Sequence, residues 1–152
     1  MIEGVIVKPL ETFTDERGFF REMIRVTDPF FREGFGQWSV SVMYTGVIKA
    51  WHIHQKQVDW WYVHRGVLKV ALYDTRQNSS THQERMELLL GDTHPSQVLR
   101  IPPGVAHGCK CLHGPTDLFY ITSRVYDPQD EGRIPYNDPT INYDWLKSAP
   151  IK

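Results

Sequence analysis

Short runs of β-branched and aromatic residues, each closed by a turn-forming residue, recur from Gly4 to Val125 of the 152-residue chain. That pattern specifies an all-β sandwich or barrel, because each short strand presents alternate side chains to opposite faces. Candidate strands cover residues 4–9, 19–26, 37–44, 47–54, 58–64, 67–73, 85–90, 97–101, 107–112 and 117–125. Asp15-Glu16-Arg17-Gly18 and His64-Arg65-Gly66 read as tight turns, and residues 28–33 as one short helical turn. Beyond Tyr126 the chain is rich in Pro, Asn and Asp and is expected to wrap the barrel as ordered loop. No repeat or linker interrupts it, so residues 1–152 are expected to form a single domain.

Charge narrows the choice of partners. A formal net charge of −1 supplies no basic field for nucleic acid or an anionic membrane. No apolar run approaches the roughly 20 residues of a membrane span. The start, Met1-Ile2-Glu3-Gly4, lacks the basic-then-apolar build of a signal peptide, so a cytoplasmic location is expected. Cys109 and Cys111 on one strand face would have Cα atoms about 6.5–7 Å apart, too far for a comfortable disulfide. Two reduced, partly buried thiols are the expectation.

Parity then sorts the strands. In residues 47–54, Ile48, Ala50, His52 and His54 share one face, and Val47, Lys49, Trp51 and Ile53 the other. Asp59, Trp61 and Val63 alternate with Val58, Trp60 and Tyr62. Leu118, Tyr120 and Thr122 share a face near the end. If the interior takes the sets containing His52, Asp59 and Tyr120, polar groups converge in a mostly apolar cavity, the usual make-up of a small-molecule site.

Two motifs carry a family likeness. Gly46-Val-Ile-Lys-Ala-Trp-His52-Ile-His54, followed by Asp59 and Gly66, and Pro102-Pro-Gly104-Val-Ala-His107 resemble the paired motifs of cupins. Asp15-Glu-Arg17-Gly-Phe-Phe-Arg-Glu22, Gln37-Trp-Ser39, Asp74-Thr-Arg76, Leu118-Phe-Tyr120, Tyr126-Asp-Pro128, Glu131-Gly132 and Asn137-Asp138 extend the likeness. In order and spacing, over roughly residues 12–146, they resemble the dTDP-4-dehydrorhamnose 3,5-epimerase (RmlC-like) family. The resemblance implies a cupin-type jelly-roll β-barrel, usually a homodimer in which an N-terminal segment reaches the partner's site. It also implies epimerisation at C3 and C5 of a nucleoside-diphosphate-linked 4-keto-deoxyhexose, without metal or organic cofactor. On that resemblance His52 is the base and Tyr120 the acid. Arg17, Glu22, Gln37, Ser39, Lys49, His107 and Glu131 match positions that hold the nucleotide and sugar, and Asp59 lies beside them.

Three departures stand out. Asp59 occupies a position where the family usually carries a Lys that can stabilise an enolate, and a carboxylate there repels the developing oxyanion. Val70 replaces that Lys's acidic partner. The C-terminal Asp that orients the family's base has no direct match, leaving Asp138 or Asp144 to substitute. The change at Asp59 also completes a His52, His54, Asp59, His107 set at metal-cupin spacing, suited to a divalent first-row metal. A metal-dependent cupin enzyme and a non-catalytic sugar-nucleotide-binding cupin are therefore the alternatives. The metal alternative competes with the first reading, since a coordinated imidazole has no lone pair left to abstract a proton.

Overall fold

The computed structural model describes residues 1–147. In chain order its strands are β1 (Ile6–Pro9), β2 (Phe13–Asp15), β3 (Gly18–Phe20), β4 (Gln37–Met43), β5 (Ile48–His54) and β6 (Asp59–Val63). There follow β7 (Val67–Asp74), β8 (Arg85–Gly91), β9 (Gln97–Ile101), β10 (Val105–His113), β11 (Thr116–Thr122) and β12 (Glu131–Arg133). Two five-stranded antiparallel sheets, ordered β1-β9-β6-β11-β4 and β12-β5-β10-β7-β8, face each other as a jelly roll. A separate hairpin pairs β2 with β3. The expected helical turn is a single 3-10 turn at Pro29–Phe31. Gly66 turns β6 into β7 at φ +79°, and a Cβ there would lie 2.5 Å from the His113 carbonyl, so only glycine fits.

Two strand expectations need correction. The run at 19–26 pairs only as far as Phe20, after which its apolar residues Met23 and Ile24 fold down onto the outer face of β6. β2 and β12 were missed because three-residue strands are too short to show an alternation.

Burial divides the molecule into three layers. Between the sheets, Leu68, Val70, Leu72, Leu99, Ile101 and Val105 fill one end of the barrel with Cys109 and Cys111, both free thiols. Outside the first sheet, Trp60, Tyr62 and Val98 pack under Phe31, Met23 and Ile24. The Trp60 indole N–H donates to the Phe30 carbonyl at 3.0 Å. Outside the second sheet, Trp51, Ile53, Tyr73 and Ala106 pack under Ile141 and Trp145, so the tail wraps the barrel over its described residues, with β12 joining the sheet where only loop was expected. Apolar filling stops short of the other end, and the site opens there.

Candidate functional site

The site depends on one irregularity in β5. His52 pairs with His107 and Lys49 with Cys109, so Ala50 and Trp51 together oppose the single residue Gly108. This extra residue is a β-bulge, and it reverses the alternation of side chains along the strand. Trp51 and Ile53 point outward as expected, but Ile48 and Ala50 join them in the outer cluster. Lys49, assigned by strict alternation to the outer face, instead lines the cavity with His52 and His54. The correction has a plain physical reason: parity holds only where the ladder is unbroken.

A cavity of about 270 Å³ lies between the sheets. β4 contributes Gln37 and Ser41, β5 contributes Lys49, His52 and His54, and β6 contributes Asp59 and Trp61. His107 and Cys109 come from β10, and Leu118, Tyr120 and Thr122 from β11. Tyr126, Asp127 and Glu131 close the mouth. The β6 and β11 parities therefore hold, and Tyr120 stands on the sheet opposite His52.

Several of these polar groups have defined neighbours. Gln57 donates to Asp59 Oδ1 at 2.7 Å, and the Trp61 indole N–H to Asp59 Oδ2 at 3.3 Å. His107 Nδ1 lies 3.1 Å from the Val105 carbonyl, and its Nε2 lies 3.8 Å from Asp59 Oδ2. Burial pushes the His107 imidazole down to about 4, against the upward pull of the Asp59 charge. His52 Nδ1 is 3.3 Å from Glu131 Oε1. Burial, helped by the Arg133 charge, holds His52 below the usual imidazole range, although Glu131 pulls it up. Lys49 Nζ donates to Ser41 Oγ at 2.7 Å, and Gln37 Nε2 to Ser39 Oγ at 3.0 Å. Burial raises the Cys109 thiol to about 12, which leaves it protonated and a poor nucleophile.

Of the residues singled out in the sequence, His52, Tyr120, Gln37, Lys49, Asp59, His107 and Glu131 come together around the cavity, with Ser39 bonded to Gln37. Arg17 and Glu22 do not. Arg17 sits on the β2–β3 hairpin with its side chain 83% exposed and paired to Asp15, and Glu22 pairs with Arg25. The hairpin forms a sheet of its own, and neither side chain is among those that line the cavity. Asp138 and Asp144 are also spent elsewhere. Asp138 accepts the backbone N–H groups of Thr140 and Ile141, and Asp144 those of Leu146 and Lys147. Gln57 and Tyr126 were overlooked, though Gln57 shares the Asp59–Trp61 parity and that signal was available.

The metal set is only partly assembled. His54, Asp59 and His107 place donor atoms within 4.8 Å of one another, the spread that would suit a divalent cation. His52 is outside that group. Two imidazoles and a carboxylate fit such an ion, and the buried His54 Nδ1 has no hydrogen-bond partner among the described residues. Because His52 is not among these donors, a cation there would leave its lone pair free, and the expected competition between the two roles disappears.

A family profile described as dTDP-4-dehydrorhamnose 3,5-epimerase matches residues 1–152. The spore coat polysaccharide biosynthesis protein SpsL of Bacillus subtilis is 45% identical over 95% of this chain and 97% of its own. The probable low-salt glycan biosynthesis epimerase Agl13 of Haloferax volcanii is 34% identical over 95% and 94%. Among solved structures, a dTDP sugar isomerase from Desulfovibrio desulfuricans superposes with a TM-score of 0.89 at 28% identity, over 97% of this chain and 94% of that one. The Legionella pneumophila RmlC, solved with dTDP-4-keto-L-rhamnose, gives 0.84 at 27% identity, over 99% and 83%. Barrel, motifs and relatives agree: the chain belongs to the dTDP-4-dehydrorhamnose 3,5-epimerase family.

Proposed function

We propose that the chain is an isomerase that epimerises carbon centres next to the ketone of a nucleoside-diphosphate-linked 4-keto-deoxyhexose. His52 is the base and Tyr120 the acid. One observation carries the reading: the imidazole and the phenol stand on opposite walls of one cavity, from different sheets. Inverting a carbon next to a ketone needs a proton removed from one face and a proton returned to the other. Two groups on one wall cannot do that. Gln37, Ser39, Lys49 and His107 hold the sugar and nucleotide. Asp59 fits this scheme despite its charge, because the Gln57 and Trp61 N–H groups already engage both its oxygens. The chemistry needs no metal or organic cofactor, since the ketone itself makes the neighbouring protons acidic. Two relatives named for polysaccharide and glycan biosynthesis support a product destined for polysaccharide assembly. Two free, buried thiols suit the cytoplasm, a reducing compartment.

The reading includes a second copy of the chain. β4 is an edge strand whose apolar side faces outward, with Trp38 65%, Val40 56% and Val42 53% exposed, while its polar Gln37, Ser39 and Ser41 are more sheltered. Such an inverted strand calls for an apolar cover. A partner barrel supplies it, and the protruding hairpin with exposed Phe13, Phe19 and Phe20 carries Arg17 and Glu22 to the partner's cavity. There the Arg17 fork meets the diphosphate. Residues 1–152 act as one domain.

Incubation with a dTDP-4-keto-6-deoxyhexose in deuterium oxide tests the chemistry. Wild type should place deuterium at C3 or C5 after chelator treatment, and His52→Asn should cut that exchange by about 10²–10⁴-fold. Tyr120→Phe should slow inversion more than nucleotide binding. Thymidine diphosphate binding without exchange would instead make this a binding protein. Exchange that disappears on chelation and returns with metal would assign the chemistry to the His54, Asp59 and His107 group.

A further inference from the structure

We infer that Glu131, matched from the sequence to a substrate-holding position, is a positioning residue for His52, fixing the imidazole proton on Nδ1 and leaving Nε2 as the base. The inference rests on the base role proposed for His52. A neutral imidazole carries one N–H, and an anion beside one nitrogen draws the proton there. The Glu131 carboxylate lies beside Nδ1, 3.3 Å away. The same anion stabilises the imidazolium that forms once a proton has been abstracted.

Glu131 is itself held in place. β12 pairs antiparallel with β5, placing Glu131 opposite His54 and Arg133 opposite His52, so the carboxylate reaches His52 on the diagonal. Arg133 Nη2 donates to Glu131 Oε1 at 3.0 Å, and the Tyr126 hydroxyl donates to the same carboxylate. Burial raises the Glu131 carboxyl, but these donors outweigh it and keep the group ionised. The preceding residue, buried Asp130, accepts the backbone N–H groups of Gln55, Lys56 and Gln57 at 3.0, 3.0 and 3.1 Å. That clamp ties the Glu131 segment to the end of the strand bearing the base. Asp138 and Asp144, the two candidates to substitute for the family's orienting Asp, cap their own turns. Glu131 fills the position they leave.

The first test needs no substrate. Nitrogen-15 spectra of histidine-labelled protein, above the titration range of its imidazoles and with His52 assigned through His52→Asn, should show the Nδ1–H tautomer in the wild type. Glu131→Ala should lose that preference. The near-isosteric Glu131→Gln guards against misfolding, and both should keep the thymidine diphosphate affinity within about threefold. Deuterium exchange should fall in kcat by about 100-fold or more with KM nearly unchanged, and acetate should restore part of the loss in Glu131→Ala. An Nε2–H tautomer in the wild type would overturn the inference. So would a raised KM with kcat intact, the mark of a substrate contact. If wild type exchanges no deuterium at all, the epimerase reading fails, and the tautomer comparison still decides what Glu131 does to His52.

Discussion

At His52 burial and neighbouring charges compete over one proton. Burial and the Arg133 charge favour the neutral ring, while Glu131 favours the charged one, and the first two win. A base depressed below the usual 6.5 stays neutral to lower pH than a free imidazole. The acid limb of kcat/KM for deuterium exchange should therefore have its midpoint below 6.5, and activity should fall as pH drops through it. Glu131→Gln removes the one neighbour that raises the value, so its midpoint should move lower still. Arg133→Ala should move it the other way. A limb at or above 6.5 in the wild type would mean that another group limits the rate. That His52 and His107 line the cavity was legible from motif spacing in the sequence, and that Tyr120 does from strand parity and the family resemblance. The neighbour of His52 was not, because Glu131 lies 79 positions further along the chain and only the pairing of β12 with β5 brings them together.

The β5 bulge shows what one element costs and what it provides. Gly108 faces the extra residue, and a Cβ there would lie 2.6 Å from the Ala50 Cβ and 2.7 Å from the Trp145 ring. Trp145 in turn packs tilted against Trp51, with ring centroids 4.9 Å apart, and edge-to-face with Tyr143 at 4.5 Å. Gly108→Ala should thus push the tail off the sheet and destabilise the fold by about 1–3 kcal/mol, as overpacking does. Trp145→Ala removes the cover instead and should cost about 3–5 kcal/mol. Chemical denaturation would measure both, and a Gly108→Ala protein as stable as wild type would show that the bulge can shift. Lys49 follows from the same bulge. Without the extra residue its side chain would lie on the outer face beside Trp51, away from the cavity.

For the whole molecule, the exposed apolar side of β4 and the detached hairpin make one prediction together. Light scattering at micromolar concentration should give twice the chain mass, and Val40→Asp with Trp38→Glu should give a monomer. That monomer should keep its barrel, since both side chains lie outside the core. It should lose most of the thermal shift produced by thymidine diphosphate, because Arg17 can no longer reach a neighbouring cavity. Arg17→Ala should lose the same shift while remaining a dimer. A monomeric wild type, or a full shift in Arg17→Ala, would remove the hairpin from the nucleotide site.

Local chemistry set most of the architecture, and it is readable without coordinates. Nine of the strands follow from short apolar alternations and the turns between them, and β3 only in part. The cavity's polar set on β6 and β11 follows from unbroken period-two parity, because a strand has only two faces. The family likeness likewise needed only ordered motifs. Tertiary structure decided what depends on ladders between distant segments. The bulge reversed β5, the brief β12 delivered Glu131, and Asp59 found donors in Gln57 and Trp61. A single strand carries no record of where its partner inserts a residue or which carboxylate arrives beside a histidine. Those outcomes are fixed when the sheets close and each buried polar group must find a partner.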